Sequence, residues 1–169
     1  MIKKHITSIF ALSLVLLLCI CAFAGCDKNG DDGNGGNSSA FGVTANGKSF
    51  SLGDDVSALT DAMGEPSGIA EAGSCGDQGT LKKYTYSSMS VLVLENDKGA
   101  TIDYISLSDD LVTTDKGIRI GASKADVTAA YGEPSADNGT NIQYVSDEFA
   151  IKFGIENDKV NAITLIRST

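Results

Sequence analysis

Two copies of the tetrapeptide Gly-Glu-Pro-Ser constrain the fold of this chain more than any other feature of its sequence. They occupy Gly64–Ser67 and Gly132–Ser135, and they contain the only two prolines. A further pair of glycines, Gly53 and Gly121, has the same separation along the chain as the two tetrapeptides. A constant spacing of this kind indicates an internal repeat, which has to be settled before single elements are assigned.

Each copy predicts a short strand, a glycine turn and a helix that the tetrapeptide ends. The predicted first strands are Lys48–Leu52 and Lys116–Ile120. In the second copy Ser123 and Asp126 have the spacing of a capping box, which favours a helix start at this point. A glycine at a helix end can adopt positive φ, and a proline two residues later prevents the helix from continuing. The tetrapeptide is therefore interpreted as helix-stop chemistry and not as a pair of catalytic glutamates.

Downstream of each tetrapeptide, apolar and polar residues alternate with a period of two, which predicts half-buried antiparallel strands. Corresponding positions such as Tyr86 and Tyr144 are now closer in sequence than the two tetrapeptides are, because the first copy holds ten extra residues within Gly68–Leu81. These extra residues either carry a role specific to the first copy or form an added edge strand. The predicted strands are Leu81–Tyr86, Ser90–Glu95, Thr101–Leu107, Asn141–Val145, Glu148–Gly154 and Lys159–Arg167.

The folded part is predicted to be a single domain from residue 41 to residue 169, with repeats at about 48–110 and 116–169. A unit of roughly 60 residues buries only about 60% of the surface of its unfolded chain and is marginal alone. We therefore expect the two units to share one core. The predicted fold class is α+β, with two tandem helix-plus-antiparallel-meander repeats that share one antiparallel sheet and helices packed on one face.

The segment 1–25 has the features of an export signal, because Lys3 and Lys4 precede an apolar run, Ile9–Ile20, and small residues follow. The run is shorter than the roughly 20 residues that a spanning helix needs. The ending Phe23–Cys26 resembles a bacterial lipobox, which implies that the cysteine is acylated and becomes the first residue of the mature protein. Residues 26–40 are then a lipidated cysteine and a flexible linker without large apolar residues. An ordinary cleaved signal and an uncleaved anchor are the alternatives.

Residue types that common enzyme mechanisms need are missing after the predicted signal. The only histidine, His5, lies within the signal, and the chain has no tryptophan. Mechanisms built on a histidine base and the commonest zinc sites are thereby excluded. We predict that the protein is not an enzyme and holds no metal and no cofactor. Cys75 is the one cysteine of the folded part, and it is predicted to be either a small buried hydrophobe or an exposed free thiol.

The exported part is strongly acidic. After Cys26 the chain carries all 22 acidic residues but 11 of the 13 basic residues, so its formal net charge is −11. Such a surface repels nucleic-acid phosphates, which argues against a nucleic-acid partner. It also repels anionic lipids, so contact with the membrane is predicted to depend on the lipid at Cys26. The predicted location is the bacterial cell envelope, on the outer face of the cytoplasmic membrane.

The frame of the second copy, Ile118–Pro134, resembles that of the SmpA/OmlA (BamE-like) lipoproteins and of the β-lactamase inhibitor protein, whose tandem domains have the same repeated unit. Phe50–Pro66 carries a less close version of this frame. The chain is also similar to lipid-anchored proteins of Gram-positive bacteria. The resemblance implies helices on one side of an open sheet, whose other face is free to hold a partner protein.

The predicted function is a lipid-anchored binding or scaffold protein that contacts an unknown envelope or extracellular protein through the exposed sheet face. Tyr84, Tyr86, Tyr104 and Tyr144 are the candidate contact residues, because exposed tyrosines are common interface anchors. The alternative for these rings is a place in the core. Two other functions are considered, a carrier of a small apolar ligand between helices and sheet, and an inhibitor of a secreted enzyme.

Overall fold

The fold is described from a computed structural model, which covers residues 40–74 and 76–168. Its two α-helices are α1 (Val56–Met63) and α2 (Lys124–Tyr131), and its strands are β1 (Gly42–Ala45), β2 (Lys48–Ser51), β3 (Gly68–Ser74), β4 (Thr80–Thr85), β5 (Met89–Asn96), β6 (Gly99–Leu107), β7 (Thr113–Thr114), β8 (Ala136–Asp137), β9 (Asn141–Ser146), β10 (Phe149–Glu156) and β11 (Lys159–Arg167). The predicted signal, the predicted lipidation site Cys26, the predicted linker up to residue 39 and Cys75 lie outside the described residues.

Eight strands form one large sheet in the order β3-β4-β5-β6-β11-β10-β9-β8, and all neighbouring strands are antiparallel. A small sheet has the order β2-β1-β7. The α+β fold class is confirmed at the level of a predominantly antiparallel sheet with two helices. No helix among the described residues is long and apolar enough to cross a membrane.

The meander strands lie where the alternating pattern predicts them, within two residues at each end. The residues Glu156–Lys159 have the composition of a hairpin turn, and β10 and β11 are joined by one there. Asn157 and Asp158 both have positive φ, 51° and 59°, which fits the type I′ turn that matches the twist of the strands it joins. The other hairpin turn, between β5 and β6, lies between Asn96 and Gly99.

The predicted strand Lys116–Ile120 is wrong. The structure has a tight turn there, in which Ile118 C=O accepts from Thr114 N–H at 2.8 Å and Thr114 C=O accepts from Gly117 N–H at 2.9 Å. The Thr114 hydroxyl also accepts from Ile118 N–H. Hydrogen bonds within the turn therefore occupy the backbone groups that pairing with a neighbouring strand would need. Strand β7 ends where this turn begins. The alternating pattern still reports burial, because the Ile118 side chain lies in the core.

Both helices begin and end as their local sequence predicts. Asp55 is the N-cap of α1, and Ser123 is the N-cap of α2 in a capping box with Asp126. The hydrogen bond from the Ser123 hydroxyl lowers the pKa of the Asp126 carboxyl. Gly64 and Gly132 end the helices with φ of 75° and 80°. Helices of eight residues are marginal alone, so their stability depends on tertiary packing.

The core lies between the large sheet and the layer formed by the helices and the small sheet. Leu59 of α1 and Val127 of α2 are fully buried and belong to one apolar cluster. The same cluster contains side chains from six strands of the large sheet, among them Val91, Ile105 and Ile151. One continuous core therefore holds the helices against a single face of the sheet.

Candidate functional site

The large sheet has two different faces, because side chains point alternately to its two sides. The side chains in contact with the helices form the covered face. The opposite side chains form what we call the open face, and most of them are half-buried or exposed. No helix or strand of the described residues covers the open face, so it is the candidate site for a partner.

Three of the four candidate tyrosines lie on the covered face, and the prediction that they are displayed to solvent is wrong for them. Tyr84, Tyr86 and Tyr144 are only 5–9% exposed. Tyr84 pairs with Val91 and Tyr144 with Ile151, so the strand register turns these rings into the core.

Two of the three buried tyrosines, Tyr86 and Tyr144, satisfy their hydroxyl groups at the helix ends. The Tyr86 hydroxyl donates to the Gly64 carbonyl at 3.2 Å, and the Tyr144 hydroxyl donates to the Gly132 carbonyl at 3.1 Å. Burial raises the pKa of Tyr86 to about 12. These tyrosines therefore fasten the helix ends to the sheet, which is a structural role.

Tyr104 is the one candidate tyrosine on the open face, where it is half-buried. It pairs with Leu92 of β5, and it lies beside Ile166 because the preceding pair is Ile105 with Leu165. Ile166 pairs with Ala150, and Ala150 pairs with Val145, which is 41% exposed. We call this line across five strands the apolar row, which consists of Leu92, Tyr104, Ile166, Ala150 and Val145.

A second line of side chains runs beside the apolar row, two residues along each strand. Its members are polar and mostly small, and each pairs in register with the next. We call it the polar row, which consists of Thr85, Ser90, Ser106, Thr164, Lys152 and Gln143. The two rows together form a surface of aliphatic, aromatic and hydroxyl groups on six neighbouring strands, in which Ala150 is fully buried between its neighbours.

The charge of this surface differs from that of the rest of the domain. The described residues include 19 Asp and Glu but 10 Lys and Arg, whereas the two rows contain no carboxylate. Their charged groups are Lys152 and, next to Leu92 in register, Lys83. Within the described chain no carboxylate lies at ion-pair distance from either lysine. The strands of the two lysines are four positions apart, which places the charges roughly 19 Å from each other.

An open cleft of about 940 Å³ lies at the end of the β5–β6 hairpin, and it continues the open face because Leu94 lines it. Its walls include Asp103, whose Oδ1 accepts from Arg167 Nε at 2.8 Å. A smaller cleft of about 420 Å³ lies at the end of α1 and is lined by Met63, Tyr86 and the 74% exposed Leu111. Across residues 40–74 and 76–168 no three His, Cys, Asp or Glu side chains are grouped to hold a metal ion.

Sequence reasoning missed the residues of the open face other than Tyr104. Leu92, Ile166 and Val145 alternate with core residues of the same strands, so period two marks them as members of the second face. What the pattern lacks is a signal for which face the helices cover. The sequence also did not predict that Lys83 and Lys152 lie on one surface, because only the strand order of the sheet brings them there.

Comparisons with known proteins place few constraints on this chain. No family model matches it, and no curated protein matches it significantly. A solved structure of a DUF4309 family protein (YjgB) from Bacillus subtilis subsp. subtilis str. 168 is similar over 68% of this chain and 79% of that chain. The identity is 15% and the TM-score is 0.36, which is too low to support an argument about fold or function.

Proposed function

We propose that this chain is a lipid-anchored binding or scaffold protein of the bacterial cell envelope, which holds a partner protein on the open face of its large sheet. The apolar row carries this proposal. It offers Leu92, Tyr104 and Ile166 side by side on a surface that nothing in the described chain covers. Neighbouring apolar and aromatic side chains at the centre of a surface, with polar groups around them, are typical of protein interfaces.

The charges of the open face favour a partner with an acidic surface. Lys152 in the polar row and Lys83 in register with Leu92 are both basic, whereas the domain as a whole carries an excess of acidic residues. Complementary charges chiefly increase the rate of association and select among partners. A partner that fits carries an apolar patch between carboxylates roughly 20 Å apart, to match the spacing of the two lysines.

The amino-terminal segment supplies the anchor in this proposal. A lipid on Cys26 followed by the flexible linker 27–40 gives a root-mean-square reach of roughly 20 Å. Such a reach allows the open face to turn toward a partner beside the membrane. Labelling with a radioactive fatty acid is expected to mark the wild-type protein and not the Cys26→Ser variant, and an unlabelled wild type contradicts the anchor.

We also infer that the two halves of the domain arose by duplication, as the tandem-repeat prediction has it. Corresponding backbone hydrogen bonds support this inference. Gly53 N–H donates to Ile102 C=O, and Gly121 N–H donates to Val160 C=O, both at 2.8 Å. The two donors have the separation of the two tetrapeptides, and the two acceptors have the shorter separation of the meander strands. Both are the spacings of the sequence repeat.

Site-specific photo-crosslinking in living cells tests the binding proposal. A benzophenone amino acid replaces Tyr104 on the open face or, as the control, Leu111, which is exposed elsewhere. We expect an adduct with one envelope protein from position 104 and not from position 111. Equal adducts from both positions, or none from position 104, contradict the proposal.

The captured protein is then purified and its affinity for charge-reversal variants is measured. Lys152→Glu is expected to weaken binding about tenfold, mostly through a slower association rate that depends on salt. Arg119→Glu makes the same charge change on an exposed residue outside the large sheet, and it is expected to bind like the wild type. If both variants lose the same amount of affinity, the change in net charge explains the loss, and the result does not support binding at the open face.

A further inference from the structure

Strand β3 is an edge of the large sheet with one neighbour, β4, in the described chain. It runs from Gly68 to Ser74, and all residues from Gly68 to Gly73 are exposed. The opposite edge, β8, has only two residues. Strand β3 therefore offers a row of unpaired backbone N–H and C=O groups, which is a template for a further strand.

The sequence of β3, Gly-Ile-Ala-Glu-Ala-Gly-Ser, has little of what usually protects an edge. It contains no proline and no lysine, and Ile69 is 54% exposed. Its one irregularity is a bulge between Glu71 and Gly73, which leaves Gly68–Glu71 as a regular pairing segment. Gly68 has no side chain and Ala70 has only a methyl group, so neither crowds a backbone that is added at this edge.

Glu71 is the one charged residue of β3, and its cross-strand neighbour is already occupied. Lys82 lies opposite Glu71 in register, but its ammonium group makes an ion pair with Glu95 at 2.5 Å. No other cation of residues 40–74 and 76–168 lies at ion-pair distance from Glu71. An exposed carboxylate thus stands beside the free edge, on the same face as the exposed Ile69.

This edge exists because of the ten residues that are present in the first copy and not in the second. In the sequence repeat, Gly68 corresponds to Ala136, and Thr85 corresponds to Gln143. In the sheet, Gly68 pairs with Thr85, and Ala136 pairs with Gln143 in the same way. Between these points the second copy turns back after two strand residues, whereas the first copy continues to Ser74. The longer edge is therefore a feature of one half only.

We propose that β3 receives an extended segment of a partner protein as a ninth strand of the large sheet. The segment runs antiparallel to β3 and carries a lysine or arginine opposite Glu71 and an apolar residue opposite Ile69. Its signature is therefore a basic residue followed two positions later by an apolar residue. This surface is separate from the open face, so the inference stands independently of the proposed function.

A second copy of this chain fits the edge less well than a foreign segment. Self-pairing joins two eight-stranded sheets into one of 16 strands, and strongly twisted open sheets rarely exceed about ten. It also places no cation on the free side of Glu71, because β3 contains none. Both domains carry an excess of acidic residues as well, so their approach is opposed by charge.

Selection from a phage-displayed library of random peptides, each of about twelve residues, on the immobilised full chain tests the inference. The Glu71→Lys variant serves for counter-selection. A synthetic version of the most enriched peptide is then titrated against three full-length proteins, the wild type, Glu71→Lys and Glu133→Lys. Glu133 is an exposed carboxylate next to the opposite edge, so its variant has the same net charge and an intact β3.

We expect enriched peptides to carry the basic-x-apolar signature and to slow hydrogen exchange of the amides from Gly68 to Glu71. Glu71→Lys replaces an attractive cross-strand pair by a repulsive one, so the peptide is expected to bind it about tenfold more weakly. Glu133→Lys is expected to bind like the wild type. If Glu71→Lys disturbs exchange in β4 without peptide, Glu71→Gln replaces it, with an expected loss of about threefold.

Two results overturn the inference. One is that no enriched peptide distinguishes the wild type from the Glu71 variants, or that the peptides protect amides outside β3. The other is that β3 amides become protected without peptide as the protein concentration rises, which assigns the edge to a second copy. Neither result bears on the crosslink from position 104, so failure here and failure of the proposed function are distinguishable.

Discussion

Replacing Leu59 by alanine tests whether one core joins the two halves of the large sheet. Leu59 is fully buried in α1 and belongs to the cluster that also contains Val127 of α2. Removing a buried leucine side chain to Cβ costs about 2–5 kcal/mol, because transfer energy is lost and a cavity remains. That is a large part of the roughly 5–15 kcal/mol by which a domain is stable. Leu111→Ala, at a 74% exposed site, is the control and is expected to cost less than about 0.5 kcal/mol.

Val127→Ala makes the corresponding change in the second half. It removes fewer atoms, and with roughly 0.8 kcal/mol per buried methylene plus a cavity contribution we expect a loss of about 2 kcal/mol. Because the core is continuous, each variant is expected to destabilise the whole domain. Urea denaturation followed by circular dichroism is expected to show one transition, with a lower midpoint and an unchanged slope.

Native-state hydrogen exchange locates the effect of each variant. The amide of Val91 reports on the first half of the sheet and that of Ile151 on the second. Leu59→Ala is expected to lower the protection free energies of both amides by the same amount, since both exchange through global unfolding. Loss of protection at Val91 with unchanged protection at Ile151, or two separate urea transitions, refutes the single shared core.

Three further changes test local features of the fold. Ser123→Ala removes the N-cap of α2 and is expected to cost about 1 kcal/mol in urea denaturation. Gly64→Ala is expected to cost about 1 kcal/mol, because φ is 75° but a Cβ meets no atom within 4 Å, whereas Gly79→Ala is expected to cost at least about 2 kcal/mol because its Cβ clashes with the Glu95 carbonyl oxygen. The pKa of Tyr86 is raised to about 12 from about 10 in the unfolded chain, so its stabilising contribution is complete below about pH 10 and is lost as the pH rises toward 12. Tyr86→Phe is expected to flatten this alkaline part of a stability profile measured by urea denaturation.

Each of these expectations has a contrary outcome. A Ser123→Ala variant as stable as the wild type shows that the capping box contributes nothing in this context. If Gly64→Ala and Gly79→Ala lower the stability equally, the clash at residue 79 contributes nothing, and the positive φ of both glycines explains the whole loss. If Tyr86→Phe loses stability between pH 10 and 12 as steeply as the wild type, other groups cause the alkaline transition.

Sequence patterns located the meander strands and the helix ends because their causes are local. The capping box at Ser123 needs only Asp126, three residues away, and the turn after β10 needs only residues that accept positive φ. The sequence did not decide whether the segment of β3 forms a strand, because its glycines and alanines have low strand propensity. Its partner β4 lies across a turn that the pattern did not define.

The burial of the tyrosines could not be predicted from local sequence. In β4 each face of the strand carries both apolar and polar residues. The sequence therefore does not show whether the face of Leu81 or the face of Tyr84 is buried in the core. The register of Tyr84 with Val91 and a carbonyl acceptor for Tyr86 at the end of α1 decided between them. Lys116–Ile120 failed for a related reason, since alternation reports burial and not the backbone hydrogen bonds that define a strand.

The duplicated spacing, the helix stops and the alternating strands can be derived from the residues alone, because propensity, capping and turn chemistry act over a few positions. The open face cannot be derived in this way. Leu92 and Tyr104 face each other across the β5–β6 hairpin, but Ile166 comes from β11, which is distant in the chain, and it joins them only because β6 pairs with β11. Which of two similar faces receives the helices, and which edge remains free, depends on packing between these distant segments, and no short stretch of sequence encodes it.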